Sequence, residues 1–175
     1  MNLMNDKKAG NQSWQVVFDE LPTTLDMFSV LPQTNMQQPY YAAALLIPAL
    51  CMWPSNQNVA VDMINFLKGP KALSTREIQF INERLRGKEY LPFSYFEGTT
   101  PSNGYEPSKP YTVTISTVPT SFDEPGYAKL YLKSSGADSP RPVQLRKKQS
   151  SGEWFLWDQM LLSEIRPPVS TDPWA

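Results

Sequence analysis

The chain has 175 residues, 41% of them hydrophobic and 19% charged, with a formal net charge of −1. That length fits one domain with a core of its own, and the composition argues against a disordered chain or a generic polyanion binder. Histidine is absent, which excludes Ser–His–Asp and Cys–His catalysis and every histidine-ligated metal site.

Residues 1–12 are polar and read as a mobile N-terminal segment, leaving residues 13–175 as a single domain. No signal-peptide pattern opens the chain, and the longest apolar run, Tyr40 to Trp53, is too short to span a bilayer. A single cysteine, Cys51, cannot form an internal disulfide. It sits in an apolar stretch without a histidine base and reads as an inert thiol. Together these features point to a soluble cytoplasmic protein.

Trp14 to Phe18 reads as a short strand or a docked arm. Thr23-Thr24 can cap a short helix that Pro32 stops. Pro39 suits the first position of the next helix, and Tyr40 to Trp53 is apolar all round, which marks a central buried helix. Pro48 should kink or break it. A third helix over Gln57 to Lys68 ends at Gly69-Pro70. Ser74-Thr75-Arg76-Glu77 is a capping box that opens a fourth, with Ile78, Ile81 and Leu85 at helical spacing.

From Lys88 the pattern changes. Residues 90–111 form a long irregular connection rich in proline and aromatics: Tyr90, Phe93, Tyr95, Phe96, Tyr105 and Tyr111. Such loops are uncommon unless they bind something, and Tyr90, Tyr95 and Tyr105 are candidate contacts on a rigid aromatic surface. The plainer reading is a cover over a sheet edge or an open end of the core.

Strand patterns follow at Tyr111 to Ser116, Gly126 to Lys133, Val143 to Lys148 and Glu153 to Gln159. Ser150-Ser151-Gly152 predicts a three-residue hairpin loop. That register opposes Leu145 to Trp157 and Lys147 to Phe155, with Val143, Leu145, Phe155 and Trp157 facing the core. Helices first and strands afterwards predict an α+β domain, with helices on a mainly antiparallel sheet of three to four strands.

Gly136 to Arg141, Leu145-Arg146-Lys147-Lys148, Gly152 to Trp157, Ile165-Arg166 and Asp172-Pro173-Trp174-Ala175 form an ordered set of motifs with Phe66 to Pro70, Ser94-Tyr95-Phe96 and Pro107 to Tyr111. This set resembles a bacterial domain family of unknown function, common in clostridia and their relatives, over about residues 22 to 175. The resemblance implies a soluble bacterial protein and no particular activity. The order of elements and the basic-then-aromatic hairpin are also similar to the nuclear-transport-factor-2-like cone, in which helices pack on a curved sheet.

Asp138 and Arg141 in the loop before Leu145 are candidate contacts for an anion or polar ligand, or else parts of a local turn. Arg146-Lys147-Lys148 is expected to alternate across a strand and so to make no single patch, which argues against nucleic acid. Asp158 beside the hairpin is a candidate ionisable group. Trp174 is expected to dock with the proline-rich tail, or to meet a partner. No metal or cofactor is expected. The leading reading is a non-enzymatic module that binds a protein or small-molecule partner through residues 90–111. The alternative is a small enzyme or ligand-sensing pocket in a cone-shaped fold, using Asp158 and Arg146.

Overall fold

A computed structural model describes residues 11–175. The expected mobility of residues 1–10 lies outside the described residues. Gln12 is already paired with Thr117 through backbone and hydroxyl bonds of 2.9 and 3.0 Å, so order begins within the segment expected to be mobile.

The fold is α+β. A strand β1 (Ser13–Phe18) precedes four helices: α1 (Leu25–Ser29), α2 (Pro39–Cys51), α3 (Gln57–Lys68) and α4 (Thr75–Leu85). Four more strands follow: β2 (Tyr111–Ser116), β3 (Tyr127–Leu132), β4 (Arg141–Lys147) and β5 (Trp154–Gln159). The sheet is antiparallel and has five strands in chain order, not the expected three to four. The addition is β1, which pairs along its whole length with β2.

The caps form as their sequences require. Thr24 accepts the Met27 N–H at 3.1 Å, and Asn56 accepts that of Val59 at 3.2 Å. The Ser74–Glu77 capping box closes at 3.1 and 2.7 Å. Burial alone would raise the pKa of the Glu77 carboxyl; the Ser74 N–H and the Lys68 ammonium outweigh it and hold the group below its ordinary value.

α2 is the centre of the molecule. Every residue from Ala42 to Leu50 is buried. The helix contacts all five strands as well as α3. Ala42, Ala43 and Ala44 let neighbouring backbones come close. Pro48 does not break α2, which runs on to Cys51. With close packing on every side, the proline's missing hydrogen bond is outweighed by burial.

To enclose a helix the sheet has to curve. Residues 32–37 bridge its two edges. Gln33 donates to the Val17 carbonyl on β1 at 3.0 Å, and Trp154 on β5 donates to the Met36 carbonyl at 2.8 Å. The sheet also splays. β2 and β3 pair only at Ile115–Leu132 and Ser116–Tyr131. In the gap, Phe96 bridges to Val113 and Glu97 donates to the Thr112 carbonyl at 2.9 Å.

The β4–β5 hairpin differs from its expected register. Lys148 donates to the Glu153 carbonyl at 2.8 Å, so the loop is Gln149 to Gly152, four residues rather than three. Lys147 then opposes Trp154, Arg146 opposes Phe155 and Leu145 opposes Leu156, with a bulge between Gln144 and Leu145. A one-residue slip inverts a strand's faces. The core therefore takes Val143, Leu145 and Leu156, while Phe155 and Trp157 are half-buried.

The tail is docked only in part. Arg166 donates to the Gly136 carbonyl at 2.9 Å and Pro168 is buried, but Trp174 is 93% exposed. The expected burial of Trp174 does not occur: after the 3-10 turn Val169–Thr171 its N–H is tied locally to the Asp172 carboxylate at 2.8 Å and its ring lies in solvent. Replacing Leu45, which is fully buried, with alanine should cost about 2–5 kcal/mol in urea unfolding. Trp174→Ala should change stability by less than about 0.5 kcal/mol in the same measurement.

Candidate functional site

The aromatic connection turns inward. Its backbone winds into two 3-10 turns, Leu91–Tyr95 and Pro101–Asn103. Tyr95 and Tyr105 are almost wholly buried, and their hydroxyls donate to the Leu161 and Arg166 carbonyls. Tyr90 stacks on Tyr105, ring centroids 5.4 Å apart. Burial pushes the pKa of all three hydroxyls above the ordinary tyrosine value. The hydroxyls of Ser94, Thr99, Ser134 and Ser135 form a chain with 2.8 Å links from Ser134 to Ser94 and between Thr99 and Ser135, and a 3.2 Å link from Ser135 to the Ser94 carbonyl. Residues 90–111 thus fill the splay between β2 and β3 and pin the C-terminal segment.

Asp138 and Arg141 serve that same junction. Arg141 donates to the Ser139 carbonyl and hydroxyl at 3.1 and 3.2 Å, the Ser163 carbonyl at 3.2 Å and the Glu164 carbonyl at 3.1 Å. Each of its three guanidinium nitrogens donates to a protein oxygen. Asp138 pairs with Arg166 at 2.8 Å on the surface. Gly136 lets the Tyr105 hydroxyl and the Ile165 side chain lie where a Cβ would stand. The motif Gly136 to Arg141 is therefore a latch for residues 161–168.

The connection keeps one cavity of about 260 Å³, lined by Tyr90, Phe93, Gly104, Tyr105, Glu106, Pro107 and Tyr111; two others lie where α3 and α4 meet β4 and β5. A cleft of about 600 Å³ is lined by Lys68, Lys71, Arg146, Lys147 and Lys148 with Pro70, Gln149, Phe155, Leu156 and Trp157. Among the described residues no carboxylate lines it. A second cavity of about 300 Å³ shares Lys68, Leu156 and Trp157 in its lining and adds Leu46, Leu50, Ile64, Leu73, Phe80 and Ile81 with Arg76, Glu77, Asp158 and Gln159. Arg146, Lys147 and Lys148 all border the cleft, but Arg146 opposes Phe155 and Lys147 opposes Trp154, in keeping with strand alternation.

Aromatic rings order these cations. The Trp157 ring lies 4.7 Å from the Arg146 guanidinium and 5.1 Å from the Lys71 ammonium. Arg146 also lies 5.5 Å from the Tyr127 ring. Lys147 lies 5.8 Å from that of Trp154. Cation–π attraction holds such groups without neutralising them. Phe155 rests on Gly69, which has φ +62 and no room for a Cβ against the ring.

Lys68 is the distinctive member. Its side chain is 5% exposed, yet its ammonium has one acceptor among the described residues, Glu77 at 3.5 Å. An ammonium carries three donors. Glu77 is held back by the Ser74 N–H at 2.7 Å. In sequence, Lys68 is an ordinary cation in the last turn of a helix, and nothing there signals its burial.

Arg146 lines the first cavity and Asp158 the second, and no ion pair joins them among the described residues. Asp158 is exposed and accepts the Gln159 N–H at 2.8 Å. Burial pushes the Cys51 thiol well above its ordinary pKa, so it is a poor nucleophile. Among the described residues no group of three or more metal-ligating side chains occurs, and no helix is long and apolar enough to cross a membrane.

Gly69→Ala should lower stability by about 1–3 kcal/mol in thermal unfolding, because the methyl group has to displace Phe155. It should also shift the Phe155 ring resonances in NMR spectra.

No curated protein and no solved structure matches the chain. Residues 20–169 match one protein family, described as a domain of unknown function (DUF6935). The match covers most of the chain, and the protein belongs to that family.

Proposed function

We propose that the protein is a non-enzymatic binding module and that the cleft beneath the β4–β5 hairpin holds an acidic ligand. Lys68 carries this reading. A buried ammonium with a single contact at 3.5 Å is a stability cost that folding alone does not explain. An anion in the cleft would complete its hydrogen bonds. Lys71, Arg146, Lys147 and Lys148 line the same space and reinforce the field. Residues 90–111, the surface favoured by composition, are committed to internal contacts at Tyr95 and Tyr105.

The enzymatic alternative is the weaker one. Asp158 is exposed, Arg146 lies over the Trp157 and Tyr127 rings, and no ion pair joins the two among the described residues. A lone thiol, disinclined to ionise, suits a reducing cytoplasmic setting.

The test combines binding with stability. In a 15N NMR titration with inorganic phosphate at constant ionic strength, amide shifts should concentrate at residues 68–71 and 146–149. Lys68→Met should abolish the shifts at residues 68–71. It should leave the melting temperature unchanged or raise it, because Glu77 keeps the Ser74 N–H and is 43% exposed. Shifts scattered over the surface, or a loss of more than about 2 kcal/mol on Lys68→Met, would make Lys68 a structural ion pair and overturn the proposal.

A further inference from the structure

From the cavity kept by the aromatic connection we infer a second binding site, independent of the basic cleft, that takes a methylated ammonium group. Tyr90, Phe93, Tyr105 and Tyr111 line this space of about 260 Å³ together with Glu106. Tyr90, Phe93 and Tyr111 are half-buried, while Gly104 and Glu106 at the same cavity are exposed, so it opens to water. Buried rings hold its walls in place. Tyr105 stacks on Tyr90 with centroids 5.4 Å apart, and Phe96 packs on Phe93 at 6.1 Å and on Tyr111 at 5.4 Å. Rings fixed in this way surround a ligand without an ordering cost.

The charge of the lining selects a cation. It holds one carboxylate, Glu106, and no lysine or arginine. Among the described residues Glu106 is bonded through its backbone alone, to Asn103, which leaves its carboxylate for a ligand. Aromatic faces add negative potential. Lys109, outside the lining, already places its ammonium 5.9 Å from the Tyr111 centroid. A primary ammonium needs acceptors for three N–H groups. Here the Tyr105 hydroxyl is turned to the Arg166 carbonyl, and the Glu106 carbonyl accepts the Asn103 amide at 3.3 Å. A methylated ammonium needs no such acceptors, because its methyl groups lie directly on ring faces. The volume falls just below that of drug-sized sites, about 300–1,000 Å³, which suits a head group.

The experiment is a 15N NMR titration of the full chain with choline at constant ionic strength. Dimethylbutanol, with carbon in place of the nitrogen, supplies the shape without the charge. Ethanolamine supplies the charge without the methyl groups. Choline should shift the amides of residues 90–96 and 104–111, and should bind about tenfold more tightly than either control. Tyr90→Leu should weaken it about tenfold. Glu106→Gln alters an exposed side chain, so the fold is kept; it should weaken choline about threefold or more while leaving the phosphate-induced shifts at residues 68–71 intact. Co-sedimentation with phosphatidylcholine vesicles that choline displaces would assign the head group to a lipid, and its absence to a free solute. Equal binding of choline and dimethylbutanol would overturn the proposal by making the cavity a plain apolar hollow. Choline shifts that survive both variants, or no choline shifts in the unaltered chain, would also overturn it. Phosphate that fails to bind while choline does would overturn the basic cleft and spare this site.

Discussion

An α-helix that is apolar on every face cannot rest on a surface; it has to be enclosed. α2 imposes that condition on the rest of the molecule. A flat sheet would cover one side of it. Instead all five strands reach the helix, and residues 32–37 tie the first strand toward the last. α3 closes another side, and α4 supplies Ile81 and Leu85 to the same core. The aromatic residues between α4 and β2 fill the place where β2 and β3 part, and the segment after β5 is latched over them by Tyr95, Tyr105 and Arg141.

The cleft is a consequence of that enclosure. Between the end of α3, the start of α4 and the outer strand β5, a cavity remains next to the buried Leu46 and Leu50. Phe155 and Trp157, turned out of the core by the four-residue loop, form the aromatic wall beside this gap. Lys71 and Arg146 lie over the Trp157 ring, and Lys147 lies over Trp154; π-faces hold cations while leaving their charge available. Lys68 ends α3 at the junction, buried by its neighbours and only loosely paired. A cavity and an under-satisfied cation thus adjoin through packing alone, with no strained segment needed.

Local signals were legible in the sequence, and long-range ones were not. The unbroken apolar surface of Tyr40 to Leu50 announces α2, and Ser74 with Glu77 announces the start of α4. The four strands after residue 110 follow from period-two alternation. β1 was ambiguous because a lone six-residue segment shows its strand character only through a partner about a hundred residues away. The hairpin register depended on whether Gln149 belongs to the strand or the loop, and both assignments place Gly152 suitably. Tyr95 and Tyr105 looked like surface aromatics, since their neighbours are prolines and polar residues; their acceptors lie more than sixty positions onward. Lys68 was invisible for the same reason, its burial being set by β5 and α4 rather than by its own helix.

The enclosure of α2 is tested most directly by native-state hydrogen exchange. If every other element serves to cover this helix, its amides open only when the whole molecule does. The account predicts that the amides of Leu45 to Leu50, apart from Pro48, exchange with the free energy of global unfolding and respond fully to denaturant. Exchange of these amides through a cheaper partial opening, while β3 and β4 stay protected, would contradict it.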